Sequence, residues 1–315
     1  MRAMTITATG GTEVFELAEV PVPLQAIGEA LVDVAAAGVN PIDAKTRAGR
    51  GAAAHIRQFP AVLGIDFAGT INTAAYLGHE LQPGAEVYGI VGAPRVSGSY
   101  AEKLTAPVVS MARKPRTLSP IEAAALPCAA LTAWGAVHDA GQVQPGQRVL
   151  VHAGAGGVGH IAVQLAAAAG AHVVTTASAR NHDWLRSLGA AETIDYRSAD
   201  FEDETGDIDL VVDLIGNVTA DTGRRSLKVM KPGAMIVNVP SGSWPELLGD
   251  AAAAGMRATD LKLIPDAHVL QELADRIDAG ALTVHVDRVF DLADAAEAHR
   301  VLEEGHTRGK LVLRI

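Results

Sequence analysis

Residues 149–160, Val-Leu-Val-His-Ala-Gly-Ala-Gly-Gly-Val-Gly-His, constrain this chain more than any other stretch. A short apolar run drops into four glycines within six residues, and a helical pattern follows at once. Gly154, Gly156 and Gly159 fall on the G-x-G-x-x-G spacing. The first permits a tight turn, the second lets backbone N–H groups approach a pyrophosphate, and the third lets the helix pack close to its strand. The helix head adds orphan donors and a partial positive charge. Glycine turns also join strands to helices for purely structural reasons, so the rest of the chain has to decide.

The stretch sits in a regular alternation. After the Gln144-Pro145-Gly146 turn, strands are expected at 148–152, 172–176, 192–194, 208–213, 234–239 and 258–263. Helices are expected between them at 157–169, 181–188, 219–229 and 244–254. This is the pattern of a doubly wound parallel sheet. Residues 1–118 read differently, as irregular β structure with short runs at 4–8, 13–20, 30–36, 62–71, 86–91 and 100–105, punctuated by Gly and Pro. One helix is expected there, after Asn40-Pro41. Ser119, Pro120 and Glu122 form an N-cap, a first-turn proline and a capping-box carboxylate, which places a helix start and a domain boundary. A second helix is expected over 128–138. Beyond 266 come a helix (266–279), a strand (284–289), a helix (293–303) and a closing strand (310–314), a tail expected to rejoin the first domain. The expected domains are 1–118 with 266–315, and 119–265.

A formal charge of -10 with scattered Lys and Arg argues against a nucleic-acid partner. No apolar run approaches the ~20 residues that span a bilayer. The first residues lack a signal peptide's apolar core, so a cytoplasmic protein with no membrane association is expected. The single cysteine, Cys128, rules out an intrachain disulfide and an all-cysteine zinc site.

The end of the second strand of a dinucleotide fold selects the cofactor, because an acidic residue there holds the ribose hydroxyls of NAD. Here that strand runs into Ala177-Ser178-Ala179-Arg180, and no Asp or Glu occurs between Gly154 and Asp183. A hydroxyl and a guanidinium suit a 2'-phosphate. The cofactor expected is NADPH, with Ser178 and Arg180 on its phosphate; a solvated helix start is the plainer account of Arg180.

Several words spread along the chain narrow the reading: Gly38-Val39-Asn40-Pro41-Ile42-Asp43, Leu63-Gly64-Ile65-Asp66-Phe67-Ala68-Gly69, Gly98-Ser99-Tyr100-Ala101-Glu102, Leu131-Thr132-Ala133-Trp134, the glycine turn, and Gly309-Lys310-Leu311-Val312-Leu313. In this order they resemble the zinc-independent quinone oxidoreductase branch of the medium-chain dehydrogenase/reductase superfamily. The resemblance implies an α/β protein, a GroES-like β-rich catalytic domain plus a Rossmann doubly wound parallel-sheet domain. Zinc alcohol dehydrogenases of the superfamily carry a Cys at the position of Asn40, a His at Ile65 and a Cys at Cys128. Two of those three ligands are missing here, so no metal is expected. Gly78-His79-Glu80 reads as a surface loop.

The resemblance also implies roles. Asn40 would lie near the nicotinamide and substrate and Thr132 near the nicotinamide ribose or carboxamide, both catalytic candidates, with Asp43 as a further one. Gly154, Gly156, Gly157, Val158 and Gly159 would hold the pyrophosphate, and Tyr196 the adenosine end. Ile215, Val239 and Pro240 would line the nicotinamide, and Lys310 would approach the cofactor from the returning tail. Each has a plainer account: Asn40 caps a helix, Asp43 is a structural carboxylate, Asp66 bonds local backbone, and Thr132 bonds back to its own helix. His152 and His160 flank the glycine turn and are read as structural. The expected activity is hydride transfer from NADPH to a quinone or enone without metal, in a homodimer joined through strand 258–263. An enoyl-thioester reductase and a non-catalytic NADPH-binding redox sensor are the alternatives.

Overall fold

The structure is a computed structural model that describes residues 1–91 and 98–315. It divides into two compact units, Met1–Leu131 with Ile264–Ile315, and Thr132–Leu263.

The first unit opens with β1 (Arg2–Ile6) and β2 (Phe15–Glu19), followed by the long β3 (Glu29–Val39), α1 (Pro41–Arg47), β4 (Ala61–Val62), β5 (Asp66–Thr73), β6 (Glu86–Ile90), β7 (Lys103–Pro107) and β8 (Met111–Arg113). β3 is central. Its Ala30, Val32 and Val34 enter one core with Phe67, Ile71 and Leu104. After a register shift against β5 between Val34 and Ala36, Ala37 and Val39 enter another core with Met4, Tyr100 and Leu311. One strand thus serves two cores because the irregularity inverts its alternation.

The run expected as one strand at 62–71 is two. The break falls at Gly64, whose φ is +91° and where a Cβ would lie 2.3 Å from Cδ1 of Tyr100. Only glycine satisfies both demands at once. α2 (Pro120–Ala124) starts on the expected cap: Ser119 N–H donates to Glu122 Oε2 (2.9 Å), and Ser119 Oγ accepts from Glu122 N–H (3.3 Å). This helix packs on β3 and β5, so the first unit extends thirteen residues past the boundary expected at 118, to Leu131 within α3 (Pro127–Trp134).

In the second unit the chain runs β9 (Arg148–Val151), α4 (Gly159–Ala168), β10 (His172–Ala177), α5 (His182–Ser187), β11 (Glu192–Asp195), α6 (Phe201–Glu204), β12 (Ile208–Asp213), α7 (Thr222–Ser226), β13 (Met230–Asn238), α8 (Leu247–Ala253) and β14 (Arg257–Asp260). The six strands are parallel in the order β11-β10-β9-β12-β13-β14. That order reverses direction at β9, which makes the ends of β9 and β12 the switch point. The strand expected to reach residue 263 stops at Asp260, and its outer edge has no partner among the described strands.

α9 (Ala267–Asp278) returns the chain to the first unit, with Leu270, Leu273, Ala274 and Ile277 buried along one stripe. β15 (Val286–Asp291), α10 (Ala295–Glu303) and β16 (Lys310–Arg314) follow. β16 lies antiparallel to β3, with Leu311 opposite Val39, and completes the seven-stranded sheet. Among the described residues no helix is long and apolar enough to cross a membrane.

Candidate active site

The glycine turn joins β9 to α4. Its left-handed residue is not a glycine but Ala153, at φ +50°. The glycines answer to close packing instead. A Cβ on Gly154 would lie 1.9 Å from Thr175 Oγ1, and one on Gly159 2.3 Å from the Ala153 carbonyl oxygen. A Cβ on Gly156 would meet only that same oxygen, at 3.3 Å, with open space beyond. Thr176 anchors the turn, its hydroxyl accepting from Ala153 N–H (3.1 Å) and its carbonyl from Gly154 N–H (3.0 Å). The Gly157 and Val158 amides have no protein acceptor among the described residues, so these donors at the head of α4 remain for an anion.

His152 and His160 are both buried. The His152 ring lies between Thr176 Oγ1 (3.1 Å) and Ser226 Oγ (2.9 Å), and burial pulls its pKa down to about 4. His160 Nδ1 meets the Gly156 carbonyl at 2.9 Å and its ring stacks on Trp184.

Beside the turn, β10 and β11 end level, with Ala177 paired to Asp195. Ser178 follows the first and Tyr196 the second. Ser178 is buried and accepts from Asn181 Nδ2 (3.2 Å), while Arg180 is exposed. Tyr196 is 55% exposed, and the Arg197 guanidinium lies 5.8 Å from its ring centroid. Arg197 escaped the sequence reading, although a basic residue directly after Tyr196 is a visible signal. No carboxylate follows β10 at this edge.

On the other side of the switch point, Asp213 closes β12. It is wholly buried, and its Oδ1 accepts from both Ile215 N–H (2.9 Å) and Gly216 N–H (2.8 Å). Its carbonyl accepts from Val239 N–H (2.9 Å). Asn238, at the end of β13, accepts from Ser243 Oγ (3.0 Å) and donates to Asp260 Oδ1 (2.6 Å). Ile215 is thus held by the Asp213 side chain and Val239 by the Asp213 carbonyl, while Asn238 holds Ser243, whose N–H donates to the Pro240 carbonyl (3.1 Å); neither Asp213 nor Asn238 was among the expected site residues. Thr132, buried in α3, is the first residue of this unit.

The first unit gathers a separate polar cluster. Lys310 Nζ donates to Asn40 Oδ1 and to the Val39 carbonyl (3.0 Å), and lies 3.6 Å from Asp66 Oδ2. Asn40 Nδ2 donates to Asp66 Oδ2 (2.9 Å), and Cys128 N–H donates to Asp66 Oδ1 (2.7 Å). Asp66 therefore binds well beyond its local backbone. The Lys310 ammonium, expected at the cofactor, is buried among these groups. Cys128 is half-buried.

Asp43 joins from α1, its Oδ2 accepting from Asn40 N–H (2.9 Å) and from the Tyr100 hydroxyl (3.2 Å). Tyr100 also meets His299 Nε2 at 3.1 Å. Burial, and then the charge of Asp66, push Asp43 up to about 7. Burial also raises Asp66, against the opposing charge of Lys310. Burial pulls His299 down to about 3.

Two family models match the chain: "Alcohol dehydrogenase GroES-like domain" over residues 26–116 and "Zinc-binding dehydrogenase" over residues 188–313. A 2-methylene-furan-3-one reductase of Solanum lycopersicum is 32% identical, the match covering 99% of this chain and 79% of the relative. The structure of the quinone oxidoreductase from Coxiella burnetii superposes with a TM-score of 0.94 at 37% identity, over 100% of this chain and 99% of that one. That of the Escherichia coli quinone oxidoreductase complexed with NADPH superposes with a TM-score of 0.88 at 27% identity, over the whole of both chains. The chain belongs to the medium-chain dehydrogenase/reductase superfamily.

Proposed function

We propose, with that membership as premise, that the protein is an NADPH-dependent oxidoreductase that reduces a quinone or an α,β-unsaturated carbonyl without a metal. The observation that carries this reading is the amide turn at the head of α4, open at Gly156, beside a β10 end that offers Ser178 and Arg180 and no carboxylate. Backbone amides and a guanidinium fit a dinucleotide with an additional phosphate. The NADPH named for the Escherichia coli neighbour supports the same cofactor.

NADPH, when bound, supplies a hydride and leaves as NADP⁺. The chain's residues do the rest. Gly157 and Val158 N–H would take pyrophosphate oxygens, and Ser178, Arg180 and Tyr196 the adenosine end. Ile215, Val239 and Pro240, fixed by Asp213 and Asn238, would support the nicotinamide. Asn40 would donate to the acceptor's carbonyl oxygen, where negative charge collects as hydride adds to the conjugated carbon. Water then returns a proton, which balances the reduction.

Zinc fits poorly at the positions where the superfamily's zinc enzymes hold it. The Asn40 oxygen already accepts from an ammonium, and Ile65 has no donor atom. A conjugated acceptor spreads its charge without a Lewis acid, whereas a simple alcohol needs help to lose its proton. The reductase named for the tomato relative and the quinone oxidoreductases among the structural neighbours act on acceptors of this kind by name. The edge of β14, without a partner among the described strands, supports a homodimer, and sedimentation at micromolar concentration tests it.

The deciding experiment follows NADPH oxidation against quinones, enones and enoyl thioesters, with and without a chelator. Turnover of quinones or enones that the chelator leaves unchanged is expected. Turnover of thioesters alone would move the substrate class, and tight NADPH binding with no turnover would replace the enzyme by a sensor.

A further inference from the structure

Asn40 is 2% exposed, and its amide has a fixed sense. A lysine ammonium can only donate and an ionised carboxylate can only accept, so Oδ1 faces Lys310 and Nδ2 faces Asp66. Both anchors are themselves tied down. Lys310 also donates to the carbonyl of Val39, the residue before Asn40, and Asp66 accepts from Cys128 N–H. The β16–β3 register sets Leu311 opposite Val39 and so brings Lys310 level with Asn40.

The amide has a second N–H. Among the described residues it has no acceptor, and a buried donor left unmet is costly unless a ligand takes it. The ammonium on Oδ1 draws electron density through the amide and strengthens that remaining donor.

We propose that Lys310 is a positioning residue that holds the Asn40 amide with its unused N–H presented to the carbonyl oxygen of the acceptor. The proposal rests on the reductase reading above and assigns Lys310 to the donor side of the reaction, not to the cofactor. Its positive charge also balances Asp66, so loss of Lys310 alone disturbs the fold. The double variant D66N/K310M removes both charges of the pair and restores packing; Cys128 N–H keeps the oxygen of the new amide at position 66, so its NH2 faces Asn40 and favours the reversed sense of the Asn40 amide.

The test compares wild type, K310M and D66N/K310M in thermal stability, NADPH Kd by fluorescence, and kcat and KM for a quinone. The 15N spectrum of asparagine-labelled protein adds a readout free of activity. The chain has five asparagines, and the Asn40 side-chain signal is assigned by its loss in N40D. Expected are a kcat lowered roughly 100-fold in K310M, of the order found when a preorganised donor is lost, with NADPH Kd little changed. In the double variant Tm recovers and kcat does not. The Asn40 amide signals shift in K310M.

Recovery of kcat together with Tm in the double variant would reduce Lys310 to charge balance and overturn the proposal. So would an NADPH Kd weakened as much as kcat, or an Asn40 signal unmoved in K310M. If wild type turns over no acceptor at all, the reductase reading fails on its own, and the Asn40 spectrum still decides whether Lys310 holds the amide.

Discussion

The Tyr100 hydroxyl donates to Asp43 Oδ2 at 3.2 Å in the interior of the first unit, joining a carboxyl on α1 to a residue 57 positions away. Asp43 accepts from Asn40 N–H through the same oxygen, so the carboxyl braces the backbone that carries the proposed donor.

That bracing has a pH signature. Asp43 titrates near its ordinary 3.8 when unfolded and at about 7 when buried, so the native state holds a proton that the unfolded state has released. Stability from this group is full below about pH 4 and is lost as pH rises toward 7. The D43N variant should gain on wild type by roughly 2–3 kcal/mol between pH 5 and pH 8, at about 1.4 kcal/mol per pH unit over the titrating range. Urea denaturation at the two pH values measures it, and a constant difference between the proteins would contradict it.

Acid works on other groups. His299 and His152 are held neutral, at about 3 and about 4, while the unfolded imidazole takes a proton near 6.5. Stability from each is present above pH 6.5 and is lost as pH falls through the folded pKa. H299Q should flatten the acid limb between pH 6 and pH 4 by about 1.4 kcal/mol per pH unit. An unchanged slope in chemical denaturation would show that the imidazole charges within the fold.

Cofactor selection should reside at the end of β10. Replacing Ser178 with Asp and Arg180 with Ala puts a carboxylate where the 2'-phosphate is proposed to bind. KM for NADPH should rise at least about tenfold more than KM for NADH, since two charge-assisted contacts are lost and repulsion is added. Equal effects on the two cofactors would remove this assignment.

Two glycines of one turn should respond differently. G159A places a Cβ 2.3 Å from the Ala153 oxygen and 2.7 Å from the Gly154 Cα, so it should destabilise by about 1–3 kcal/mol. G156A meets one oxygen at 3.3 Å, so stability should change by less than about 1 kcal/mol while NADPH binding weakens at least about tenfold. Melting curves with and without NADPH separate the two. Tight NADPH binding by G156A would show that the dinucleotide does not approach this glycine.

What could be read in the chain was local. The Ser119-Pro120-Glu122 cap, the helix after Asn40-Pro41 and the strand–helix alternation each lie within a few residues of their cause, and each formed in the expected order, with α7 shorter than expected and β14 ending at Asp260. The break at Gly64 was hidden because its reason is a ring thirty-six positions on, at Tyr100. The Lys310–Asn40 contact spans 270 residues and the Tyr100–His299 contact 199, so no periodicity could announce either. Asp213 and Asn238 ended strands that were foreseen, but their side chains fold back on the following loops instead of facing outward, and residue type alone does not disclose that.

The pairing of β16 with β3 sets an order of events during synthesis. Residue 40 leaves the ribosome early and residue 310 some 270 residues later, yet the second fixes the side chain of the first. Until β16 docks, Asp66 lacks its cation and the Asn40 amide is free to turn. A nascent chain could complete the parallel sheet of the second unit, with its nucleotide turn, while the first unit still waits for its last strand. Formation of the dinucleotide turn would then precede the final placement of the proposed donor.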